Sequence, residues 1–197
     1  MNTENIDTTP FIKNKVSFML RGMFLSVAGF SITLLSLLNP EIKMMSYSGW
    51  LPVISFTLLI TGILEILDSF IAKKTPLALV YSNFAIVDLV TGGIILFELH
   101  NSPQRLLLLI TGYLFIKGSF RITAALQTKI LNYQRIIVTG IISLILGLIL
   151  WFWVSESLAV ILMPTFIAID VLIRGISLMV FSFSLGKLKN NTQEQES

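Results

Sequence analysis

Apolar residues in this chain come in long runs with few charges, not in the stripes of a surface helix or the alternation of a strand. Six windows stand out: Val16–Leu38, Trp50–Ile71, Leu77–Leu99, Arg105–Leu126, Ile136–Val154 and Leu158–Leu185. Each approaches or exceeds the roughly 20 residues a helix needs to cross the hydrocarbon core of a bilayer. Polar punctuation separates them. Asn39-Pro40 ends the first run, Pro52 lies near the start of the second, Pro76 precedes the third and Ser102-Pro103 the fourth. Pro164 falls inside the sixth and longest run, where a kink is expected. The connections are short, so sequence neighbours are expected to pack as antiparallel pairs. The predicted fold is all-α: a polytopic membrane protein whose six transmembrane helices form three tandem hairpins, about 16–71, 77–126 and 136–185. Tails of residues 1–15 and 186–197 flank this domain, and the polar stretch Asn190–Ser197 has the composition of a disordered segment.

Composition supports lipid as the solvent. Of 197 residues, 54% are hydrophobic and 13% charged, with mean hydropathy +0.84. A soluble domain carries about 25% charged residues, and one this short leaves much of its surface in water. The run after Lys15 is too long for a signal-peptide core and is read as a retained first helix.

Charge then sets the orientation. Lys13, Lys15, Lys73, Lys74, Lys129, Arg135, Lys187 and Lys189 fall in the two tails and the second and fourth loops, with Arg21 close by. The opposite side has Lys43 and Arg105. Basic residues favour the cytoplasmic side, so both termini are expected inside. Trp50, Trp151 and Trp153 then lie at the outer interface. The net charge of +3 fits membrane orientation rather than nucleic-acid binding.

The odd-numbered runs share a small residue followed seven positions later by glycine: Gly22 and Gly29, Ala85 and Gly92, Gly140 and Gly147. Ten residues further stand Asn39, Ser102 and Ser157. The even-numbered runs carry Thr61-Gly62-Ile63-Leu64-Glu65, Lys117-Gly118-Ser119-Phe120-Arg121 and Arg174-Gly175-Ile176-Ser177-Leu178. Seven residues are about two helical turns, so paired small residues share a face on which backbones approach closely. Three matching sets point to one hairpin used three times; the plain alternative is chance similarity among apolar segments.

The Arg21-Gly22 opening, Gly29 followed by Asn39-Pro40, and even helices ending in glycine, an apolar residue and a charge resemble the HdeD family of bacterial acid-resistance membrane proteins. The resemblance covers residues 16–185. The third unit departs from it, with Ser157-Leu158 at the punctuation and Leu178 where the others have Glu65 and Arg121. Membership implies a bacterial cytoplasmic (inner) membrane protein linked to acid stress, without established chemistry or active-site residues.

Charges inside the spans are the candidate chemistry, because ionised groups at membrane depth are expensive. Asp88, Lys117 and Asp170 fall near mid-span, with Glu65, Arg121 and Arg174 nearer the cytoplasmic ends. Asp68 is expected close enough to the interface to be solvated. Asp170 and Arg174 have the spacing of an intrahelical pair. Lys117 and Arg121 repel each other at the same spacing and need acids from other helices. The expected partners by depth are Asp88 for Lys117 and Glu65 for Arg121. Such pairs fix helix register; the functional alternative is a proton or ion relay, or a hydrated cavity.

His100, beside Glu98, is the candidate external pH sensor; its plain reading is a solvated loop residue. Without cysteine and with one histidine, the chain offers no thiolate or histidine-cluster metal site. Walker, Gly-x-Ser-x-Gly, His-Glu-x-x-His and dinucleotide-binding motifs are missing from the sequence. Asp88 and Asp170 each have a basic candidate partner, unlike a protease dyad. No enzyme activity and no cofactor are expected. The leading expectation is a non-enzymatic membrane protein contributing to acid or envelope stress tolerance. The alternatives are a small proton- or ion-coupled transporter or channel, and a scaffold whose small-residue faces join a homo-oligomer or a membrane-protein partner.

Overall fold

The computed structural model describes residues 14–39, 50–71, 77–99, 103–128, 133–153 and 156–195. Six helices account for them: α1 (Lys15–Leu38), α2 (Leu51–Ile71), α3 (Leu77–Glu98), α4 (Pro103–Thr128), α5 (Tyr133–Trp153) and α6 (Glu156–Gln195). Each is long and apolar enough to cross a membrane. Large apolar side chains such as Leu20, Phe70, Leu79, Phe97 and Phe152 point outward, as a lipid-facing surface requires.

The expected punctuation is visible where it is described. Asn39 caps α1 through its backbone N–H to Leu35 O at 2.9 Å, and Pro103 opens α4, where its missing N–H costs nothing. Trp50 Nε1 donates to Asn39 O at 3.3 Å, tying the start of α2 to the end of α1. Helix α6 runs on through Pro164 and through the polar stretch to Gln195. That stretch was expected to lack regular structure. It contains no proline after Gly186, and Lys, Gln and Glu are good helix formers.

The hairpin assignment is corrected by the packing. The three closest helix pairs are α1 with α6, α2 with α3, and α4 with α5, so pairing is offset by one helix from the expected hairpins 16–71, 77–126 and 136–185. The seven-residue ladder explains why. Along α1 and α6, Ser182 Oγ donates to Lys15 O at 2.9 Å, Gly22 faces Gly175, Gly29 faces Ala168, and Ser36 Oγ lies 2.9 Å from Thr165 Oγ1. Along α2 and α3 the steps are Ser69 Oγ to Ala78 O at 2.9 Å, Gly62 against Ala85 O, and Ser55 Oγ to Gly92 O. A Cβ on Gly118 would stand 2.8 Å from Gly140 O, and one on Gly140 equally close to Gly118 O. Backbones this near exclude a side chain. The small residue of each odd helix therefore meets a glycine of an even helix, but an even helix outside its own expected hairpin.

Depth divides the interior. Leu25, Leu51, Ile54, Leu58, Ile95, Ile110, Leu114 and Ile167 form an apolar core in the half where α1 ends and α6 begins. The other half holds the buried charges and, near its end, a small cluster around Phe18 and Leu185. Phe18 packs edge-on against Phe181, with ring centroids 5.9 Å apart.

Candidate functional site

The site is built where the three helix pairs converge. Asp88 projects from α3, three residues after Ala85, and is 0% exposed. Its Oδ1 accepts from Tyr113 Oη at 3.0 Å and from Lys117 Nζ; its Oδ2 accepts from Thr61 Oγ1 at 3.0 Å and from Arg174 Nη1 at 2.7 Å. Both carboxylate oxygens are thus doubly satisfied, by donors from α2, α4 and α6. Thr61, Lys117 and Arg174 each immediately precede the packing glycine of their helix, Gly62, Gly118 or Gly175. The same helix-packing geometry aims all three at one acid.

A second centre lies on α6. Arg121 grips Asp170 with both terminal nitrogens, Nη1 to Oδ1 at 2.5 Å and Nη2 to Oδ2 at 2.9 Å. Ser143 Oγ accepts from Arg121 Nη1 at 2.7 Å and donates to Asp170 Oδ1 at 2.6 Å. Bidentate pairing with a further hydrogen bond is the arrangement that best compensates burial of such charges. Arg174 bridges the Asp88 centre to a third acid, since its Nη2 pairs with Glu65 Oε1 while Nη1 holds Asp88. Arg21 pairs with Asp68, which is 3% exposed.

Of the pairings expected from sequence, the structure places Lys117 on Asp88. It does not place Arg121 on Glu65, nor Arg174 on Asp170; the partners are exchanged. Depth along a span does not say which side of a helix a residue occupies. Asp170 and Arg174 are four apart on α6 yet reach different neighbours. Asp68 is buried and paired rather than solvated. Tyr113, Thr61 and Ser143 were not anticipated, although Thr61 could have been found from its place before Gly62. His100 lies outside the described residues, as do Asn101 and Ser102 after it.

The small residues Gly22, Gly29, Gly62, Ala85, Gly92, Gly118, Gly140 and Gly175 all sit at close helix contacts. Gly147 is looser: a Cβ there would lie 3.4 Å from Leu114 and Phe115, an ordinary contact.

Above the charges, towards the end where α1 begins and α6 finishes, is a cavity of about 620 Å³. Glu65, Asp68, Lys117, Arg121 and Arg174 line its floor, and α3, α5 and α6 supply largely apolar walls with Arg135 near the start of α5. Asp88 and Asp170 are sealed behind the bases that hold them, at 0% exposure. Among the described residues no cluster suited to a metal ion occurs.

No family model, curated protein or solved structure matches this chain. The geometry of the site is therefore the main guide to what the chain does.

Proposed function

We propose that this chain is a non-enzymatic, multi-pass membrane protein of the HdeD type, seated in a bacterial cytoplasmic membrane with both termini inside. Its role is to contribute to tolerance of acid or envelope stress. The observation that carries this reading is the closed pairing of intramembrane charge: Glu65, Asp68, Asp88 and Asp170 each contact a base. Charges matched in this way fix the register of the bundle, whereas a conduit needs groups free to exchange partners. The sequence resemblance over residues 16–185 supplies the stress role, and the basic loops supply the orientation. Deleting the gene is expected to lower survival after an acid shock, with recovery on re-expression; unchanged survival across pH contradicts the reading.

The cavity favours a second reading, a small proton- or ion-coupled transporter. Intramembrane charges at mid-depth are where transporter sites are built, and the cavity floor reaches Lys117. Flux into liposomes containing the purified protein, abolished by Asp88→Asn, is the outcome that promotes this reading over the first.

A further inference from the structure

The acids of the network are not equally committed. Asp88 accepts four hydrogen bonds. Asp170 is held at both oxygens, by Arg121 and Ser143, and Asp68 is paired with Arg21. Glu65 differs. Its Oε1 meets Arg174, but its Oε2 is buried and makes no hydrogen bond, although the residue is 2% exposed and lines the cavity. A buried carboxylate oxygen without a donor is costly as an anion and gains from a proton.

Arg174 is placed to let that proton arrive. It already divides itself between Glu65 and Asp88, so neutralising Glu65 leaves its guanidinium anchored on Asp88 with one nitrogen released. The charge count then changes. Arg21, Lys117, Arg121 and Arg174 balance Glu65, Asp68, Asp88 and Asp170, and a proton on Glu65 leaves one positive charge uncompensated. Net charge in a low-dielectric interior calls for a counterion. The cavity supplies the space, and Lys117, Arg121 and Arg135 share its wall with Arg174. Val80, Phe84, Ile136 and Leu178 make much of the remaining wall apolar, which suits an anion with a carbon body.

We propose that this cavity is a proton-linked site for a small organic anion of the carboxylate class, with Glu65 taking the proton and Arg174 receiving the anion. The charged and titratable groups facing Glu65 are Asp68 on its own helix, Arg21 on α1, Tyr81 and Asp88 on α3, Lys117 and Arg121 on α4, Arg135 on α5, and Arg174 on α6. The proton comes from solution and forms an O–H bond on Oε2; nothing else is made or broken. This site depends on neither acid survival nor flux, so its failure and the failure of the function proposed above are separable.

The test uses the full chain in lipid nanodiscs and benzoate as probe, because its carboxylate stays ionised throughout the mild pH range. Calorimetry is expected to show binding at least about tenfold tighter in mildly acidic than in mildly alkaline buffer, with roughly one proton taken up per anion bound in the alkaline buffer. Glu65→Gln, the neutral analogue, is expected to bind tightly at both. Three results overturn the proposal: no binding to the wild type, binding independent of pH, or pH dependence undiminished in Glu65→Gln. Should that variant fail to fold, the wild-type proton count in the alkaline buffer decides, and zero uptake there overturns it.

Discussion

At the scale of single residues, the buried charges are unequal because their partners are unequal. Lys117→Met removes one of four donors from Asp88 and leaves the carboxylate with Arg174, Tyr113 and Thr61. Asp88→Asn leaves Lys117 buried without its acid and Arg174 with Glu65 alone. Breaking one side of a buried ion pair costs about 3–5 kcal/mol, so both changes are expected to destabilise, the aspartate change more. Combining them is expected to recover part of the loss, since a residue no longer charged needs no partner. Denaturant unfolding in detergent measures the cycle; purely additive losses remove the coupling. The sequence discloses which residues are charged and where they fall along each span. It did not disclose azimuth, and that is why Glu65 and Asp170 were each assigned the other's arginine.

Helices as elements were the most legible level, because a span is a local property: enough apolar length and a stop at each end. Their partners were not, because a stripe of small residues identifies a packing face without saying what covers it. Short loops argued for α1 against α2, yet Gly22 and Gly29 lie against Gly175 and Ala168 of α6. The closeness of these contacts grades the glycines. Gly29→Val and Gly175→Val place atoms into facing backbone and are expected to abolish stable folding, or to lower the unfolding temperature steeply. Gly147→Ala meets only ordinary contacts and is expected to be tolerated. At Gly93 and Gly112 an added Cβ meets nothing within 4 Å, so alanine there is expected to stabilise by up to about 1 kcal/mol through helix propensity. Thermal unfolding of this series in one detergent separates the two classes.

Across the described residues, three antiparallel pairs enclose an apolar core in one half and a charged, partly hollow interior in the other. The residue preceding the packing glycine in each even helix, Thr61, Lys117 or Arg174, donates to the same Asp88. One acid thus ties α2, α4 and α6 to α3, and the cavity opens on the far side of that knot. This arrangement depends on closure of α1 onto α6, since α6 brings Asp170, Arg174 and the packing surface for α1 into place. The chain has no cysteine of its own, so introduced pairs report without background.

Ser36→Cys with Thr165→Cys therefore gives the most direct measurement, because the native oxygens lie 2.9 Å apart across α1 and α6. Mild oxidation in membranes is expected to give a cross-link within one chain, seen as a faster-migrating monomer that reverts on reduction. Ser69→Cys with Ala78→Cys, across α2 and α3, serves as the positive control. A control that closes while the α1–α6 pair stays open, or joins only separate chains, contradicts the closed bundle and the charge network built on it.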